Sequence, residues 1–296
     1  SPYLKTSLLI VATTFLVYCI YWAVQGVIWG YRVTYMLLNI NQIGPLASMG
    51  SVELAALFIQ EGCSVANSFV LIVCGALAFQ SAVFYVRNNP KYFGKLRWAL
   101  ILLAVFQLLL LPASLHHLLG VAFGWSMVDV FVGLSYLLQA LLIVPPLLMF
   151  SQKMRNPQNQ AEIKKWATIA APAFVFALYS KYLFLWLDTL LPMGPREATI
   201  ATVLGGANCL VTLLFAGAVT TAASIAFSRN KIVWKPLAGA ALTIVGAFFA
   251  SFTVVAFFVP VYASFWYLTD FWMLISLILG ITILASKRRM TPPVQP

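Results

Sequence analysis

Apolar residues recur along this chain in stretches of about twenty, each closed by a short polar connection. A helix needs about 20 apolar residues to cross the hydrocarbon of a bilayer. The pattern therefore predicts eight spans, at 8–29, 65–86, 98–122, 126–150, 167–191, 199–228, 237–260 and 266–286. The expected fold class is an all-α integral membrane protein, one polytopic bundle over residues 1–296. The first stretch is too long for a signal-peptide core and lacks a small-residue cleavage site, which predicts a retained helix.

Between the first two spans lies the one long outer connection, an outer loop over 31–64, with turn signals at Gly44-Pro45 and Met49-Gly50-Ser51. Backbone groups need partners in lipid, so this piece either rests on the interface as a short amphipathic helix or extends span two outward.

Charge sets the orientation. Of the 18 Lys and Arg, all but Arg32, Lys181 and Arg196 fall on one side of the eight-span map. They cluster at 87–97, 153–165, 229–235 and 287–289. Of the seven acids, Glu162 alone lies on that side, while Glu53, Glu61, Asp129, Asp188, Glu197 and Asp270 lie opposite or in the outer half of a span. The positive-inside bias then predicts that both termini are cytoplasmic, in a multi-pass protein of the plasma membrane.

Composition changes the picture only by exclusion. With 62% apolar residues, 8% charged residues and a mean hydropathy of +0.94, too little polar surface exists to cover a soluble globule. The net charge of +11 is carried in short loops between spans, so nucleic acid is not an expected partner. Membrane lipids are, and bound lipids are expected with them. The four cysteines form no CxxC pair and read as small packing residues.

Within the bundle, small residues in spans six and seven (among them Gly217, Gly239 and Gly246) predict close helix approach and a central position for both. Leu- and Ile-rich span three reads as lipid-facing over much of its surface. Pro112 predicts a kink there. The nine tryptophans, mostly near span ends, read as interfacial belts. No repeat emerges on comparing the two halves.

Candidate chemistry rests on ionisable groups inside spans, which are costly to bury in lipid and so demand a reason. Lys181 stands mid-span, with Asp188 seven residues on along the same helical face, and Asp129 and Asp270 nearer the outer boundary. His116 and His117 are the only histidines and supply a candidate haem or metal ligand. A haem b between helices needs a second axial ligand, which here falls to a methionine or to another subunit. A zinc site would draw on His116, Asp129 and Asp188. Gly133-Leu134-Ser135-Tyr136 resembles a serine-nucleophile segment, but no histidine follows it to act as base. No phosphate-cradling glycine motif is present.

These observations predict an integral subunit of a larger membrane complex, an electron-transfer assembly of respiratory type, acting as scaffold or cofactor support and not catalytic by itself. Its partners would be other integral membrane subunits, and they would also hold the proline-rich tail 291–296. The alternative is a cation- or proton-coupled transporter or channel with intramembrane Lys181 and an acidic outer vestibule.

Overall fold

The computed structural model describes residues 2–122, 128–156, 158–190, 207–258 and 266–287, and the regular structure of these residues is wholly helical. In chain order the helices are α1 (Pro2–Leu38), α2 (Gly44–Ala47), α3 (Ser51–Val86), α4 (Tyr92–Leu108), α5 (Leu111–Ala122), α6 (Val128–Lys153), α7 (Gln160–Leu190), α8 (Ala207–Ser228), α9 (Trp234–Phe258) and α10 (Trp266–Lys287). Among the described residues five segments are long and apolar enough to cross a membrane: Leu4–Leu38, Ser51–Val86, Tyr92–Leu118, Gly133–Lys153 and Leu210–Ser228. They are what a multi-pass membrane protein requires. Counting α4 and α5 together and setting aside the four-residue α2, the predicted spans fall on eight rods.

The rods form a closed ring in chain order. Each packs on its neighbours in sequence, and α10 returns to α1. Side chains at one end of the ring tie its turns together. Lys5 Nζ on α1 donates to Val86 O at 3.0 Å and to Asn88 Oδ1 at 2.9 Å, at the α3–α4 turn. The hydroxyls of Ser7 and Thr282 lie 2.8 Å apart, joining the start of α1 to the last turns of α10. Lys164 Nζ on α7 donates to Asn230 Oδ1 at 2.6 Å, at the α8–α9 turn. Lys153 and Glu162 pair at 3.4 Å across the α6–α7 turn. The described basic turns thus share one end.

Several sequence expectations change. The segment 31–64 is mostly helix: α1 runs to Leu38 and α3 begins at Ser51, leaving 39–50 as the connection. α3 is thus longer than the predicted span two. The helix break expected near Pro112 is present, with Leu109 and Leu110 separating α4 from α5. Span three is less exposed than its composition implied, because α4 packs on both α3 and α6 and buries Ala99, Ala104 and Gln107. A ring has no central helix. α8 turns Leu214 and Phe215 outward, 63% and 62% exposed, and the glycines of α9 meet α10: a Cβ on Gly246 would lie 2.6 Å from Leu277 Cγ.

A local correspondence that the comparison of the two halves did not reveal links the α3–α4 hairpin with α8–α9. A constant shift of 142 residues carries Asn88 onto Asn230, both at φ 53 in the turn after a helix. It carries the edge-to-face pair Tyr85–Tyr92 (5.4 Å, 79°) onto Phe227–Trp234 (5.1 Å, 72°). Buried Cys74, Gly75, Ser81, Ala82, Ala99 and Ala104 map onto buried Ala216, Gly217, Ala223, Ser224, Ala241 and Gly246. In each half a lysine from the preceding rod is bonded to the turn asparagine. Helices α3 and α4, with the lysine brace from α1, therefore correspond to α8 and α9 with the brace from α7, and both pairs run in the same sense along the chain.

Candidate functional site

A chamber of about 550 Å³ opens between α1, α3, α4, α5 and α6, toward the end of the ring away from the basic turns. Helical spacing builds its walls. Tyr18, Trp22, Trp29 and Met36 line it from α1 at intervals of four or seven residues. The opposite face of α1 carries exposed Ile10, Val17, Val24, Val27 and Tyr31. On α3 the lining runs through Gln60, Ser64, Asn67, Ser68 and Leu71, a polar stripe at helical period. From Tyr18 to Met36 the slot extends about 27 Å at 1.5 Å per residue. Tyr18, Cys19 and Leu71 form its buried floor, with Phe15, Trp22 and Phe106 packed against them.

Close backbone approach sets this geometry. A Cβ on Gly26 would collide with Ser68 Cβ, and one on Gly75 would sit 2.6 Å from Cys19 Sγ, so α1 and α3 meet at glycines. Cys74 Sγ in turn donates to Ala99 O at 3.3 Å, holding α3 to α4. The two cysteines therefore pack, as their scattered placement implied; Cys209 lies outside the described side chains. On the far wall Ser114 Oγ of α5 donates to Gly133 O of α6 at 2.7 Å. Gly133 admits that contact, since a Cβ there would lie 3.0 Å from Ser114 O. Ser135 is fully buried, which does not suit a nucleophile.

The chamber's chemistry mixes aromatic faces with polar ends. Among the described residues its lining holds one cation, Arg32, and one acid, Glu61, together with His117 and Tyr136. Among the described residues three that line the chamber carry a buried polar atom with no hydrogen-bond partner: Trp22 Nε1, a donor, and Gln60 Oε1 and Asn67 Oδ1, acceptors. A buried polar atom without a partner costs about 1–3 kcal/mol. Gln107 Oε1 on α4 and Gln139 Oε1 on α6 are likewise buried and unpartnered nearer mid-helix.

The predicted site residues separate here. His117 lines the chamber, whereas His116 is buried away from it, with the two ring centroids 5.8 Å apart at 74°. Met36 shares the chamber with His117. Lys181 and Asp188 lie on α7, Asp129 on α6 and Asp270 on α10, but their side chains fall outside the described residues, as does Glu197. Among the described residues no group of three or more His, Cys, Asp or Glu gathers as a metal site. The proposed triad of His116, Asp129 and Asp188 reaches beyond those residues. Trp22 and Trp29, read as belt residues, are chamber walls 5.9 Å apart. The period-four-and-seven polar stripe on α3 was the signal that could have located the chamber.

A second cavity of about 610 Å³, almost wholly apolar, lies toward the basic end between α4, α6, α7, α8 and α9. Leu100 and Leu103 of α4 line this cavity, while Phe106 of α4 and Leu110 just after it line the first chamber. Between them Ala104 packs into a buried layer with Ala140, Ile143, Val144 and Ala177. No family model matches this chain, and no curated protein or solved structure matches it either.

Proposed function

We propose that this is a multi-pass protein of the plasma membrane, inserted with its basic turns in the cytoplasm, that holds a planar amphipathic organic molecule in the outer chamber as the cofactor-supporting subunit of a larger assembly. The observation that carries it is the convergence of Trp22 Nε1, Gln60 Oε1 and Asn67 Oδ1 on one aromatic-walled chamber. A ligand presenting both a donor and an acceptor at its polar end satisfies these atoms, while its ring lies against Trp22, Trp29 and Phe106.

Two further features support the wider reading. Sorted charge favours the orientation. At 37 residues, α1 is about 55 Å long, against roughly 30 Å of hydrocarbon. Its outer end and that of α3 expose Tyr31, Tyr35, Leu38, Val52 and Ile59, at 54–79%. An apolar overhang of this kind suits burial against another subunit. For electron transfer, His117 and Met36 are the haem-ligand pair that the chamber lining offers, from two different helices.

The test is extraction and mass analysis of whatever copurifies with the protein, with an absorption spectrum before and after reduction. A ring-containing small molecule retained by the native protein and lost from Asn67→Leu and Gln60→Leu is the expected result. A Soret band abolished by His117→Ala and retained by His116→Ala assigns the ligand as haem. Purification as a lone stable monomer with no bound organic molecule refutes the proposal.

A cation- or proton-coupled transporter is the second candidate, favoured by the correspondence of α3–α4 with α8–α9 and by the two cavities stacked either side of the Ala104–Ile143 layer. Lys181 would be its internal charge. Flux in proteoliposomes that is unchanged by Lys181→Ala removes that role.

A further inference from the structure

We infer that the basic end of the α7–α8 seam binds the phosphate head of an anionic phospholipid from the cytoplasmic leaflet. The inference uses the insertion proposed above and is independent of the outer chamber. A cavity of about 540 Å³ opens there, lined by Lys164, Lys165, Thr168, Ile169, Ser228 and Asn230. Two ammonium groups line it and no carboxylate does. Glu162, the one acid at this end, is engaged by Lys153 at 3.4 Å.

One ammonium is positioned. Lys164 Nζ donates to Asn230 Oδ1 and stands 5.9 Å from the centre of the Phe227 ring, which leaves two of its N–H groups for an anion. Lys165 is exposed and has no ion-pair partner among the described residues. Above the lysines the surface turns apolar. Ile169 on the cavity's edge and Phe176 two turns further are each 42% exposed, beside Ile225 of α8 at 44%. Residues seven apart share a helix face, so an acyl chain has a continuous track from the head site along the seam. Basic pockets between transmembrane helices on the cytoplasmic side are suited to anionic lipid heads.

The first repeat supplies an internal control. It builds the same lysine–asparagine brace, Lys5 to Asn88, so the brace alone is architecture. In register it has Thr6 where the second repeat has Lys165, and Val86 where the second has Ser228. The second cation belongs to the second seam alone.

The experiment is native mass spectrometry of the full chain in nanodiscs of phosphatidylcholine with and without phosphatidylglycerol. Wild type should retain one phosphatidylglycerol. Lys165→Gln, which removes no bond within the fold, should weaken retention about fivefold, and Lys164→Gln/Lys165→Gln about thirtyfold, while Lys5→Gln leaves it unchanged. Thermal unfolding in pure phosphatidylcholine separates misfolding of the double variant from loss of the site. Equal retention by wild type and Lys165→Gln overturns the inference. So does displacement of the lipid by inorganic phosphate, which would make the seam a free-anion site. Loss of ligand from the outer chamber would leave this result untouched.

Discussion

Gly280 offers the sharpest test of how α10 packs on α9. A Cβ at this position would lie 2.5 Å from Thr243 Oγ1, 2.8 Å from the Thr243 backbone nitrogen and 2.9 Å from Gly239 O. A hydroxyl can rotate away, but two backbone atoms of α9 cannot, so Gly280→Ala must push α10 off α9. Overpacking of this kind costs about 1–3 kcal/mol, against which alanine recovers about 0.5–1 kcal/mol of helix propensity. Gly62→Ala in α3 has nothing within 4 Å of its new Cβ and keeps only the gain. The two variants should therefore differ by about 2 kcal/mol, a factor of about thirty in the unfolding equilibrium. Denaturant titration of both in one detergent, with folded fraction read by circular dichroism, measures the difference. Finding Gly280→Ala as stable as Gly62→Ala would refute backbone contact between α9 and α10.

Three other outcomes follow from the same geometry. With the native cysteines replaced, Asn89→Cys and Gln158→Cys should react with an impermeant thiol reagent only after the membrane is opened, and Asn41→Cys in sealed cells; reversed accessibility sinks the proposed orientation. Ser114→Ala removes the bond to Gly133 O and should cost about 0.5–1.5 kcal/mol in the same denaturant assay. Asn88 and Asn230 share φ 53, so substitution by valine should destabilise each turn by about 1–2 kcal/mol while glycine is nearly neutral; a large difference between the two sites would speak against equivalent turns.

The rods were legible because lipid imposes a length, and apolar stretches of that length need no knowledge of their neighbours. What length could not supply was where helices stop in water. α1 and α3 continue as helix beyond the predicted spans through Arg32 and Glu61, residues that read as loop. Pro112 was legible as a break for a local reason, the missing amide donor. The repeat was not, because identical pairs such as Gly75/Gly217, Asn88/Asn230, Ala99/Ala241 and Phe106/Phe248 are scattered among unlike apolar residues. It emerged from burial and turn geometry instead. The outer chamber draws residues from five helices, and no spacing along one helix reveals which faces converge. Its single-helix trace, the stripe from Gln60 to Leu71, competes with an overall hydropathy that places the whole segment in lipid.

The repeat also bears on the charges inside α7. The register that carries Lys5 onto Lys164 carries Trp22 onto Lys181 and Trp29 onto Asp188. Trp22 and Trp29 are chamber-lining positions in the first unit, seven residues apart on one face of α1. If the units are equivalent, positions 181 and 188 address the ring interior rather than lipid, where a lysine at a helix centre costs about 2.5–3.5 kcal/mol on insertion scales. In a background without native cysteines, Lys181→Cys should then react with a small water-soluble thiol reagent supplied from the outer side. Ile169→Cys, at the outward-facing register of Ile10, should react only with a lipid-soluble one. Both are tested on the same helix, so a failure of folding would silence the pair together. Labelling of position 181 by the lipid-soluble reagent alone would break the equivalence of the units and return Lys181 to the membrane surface of the bundle.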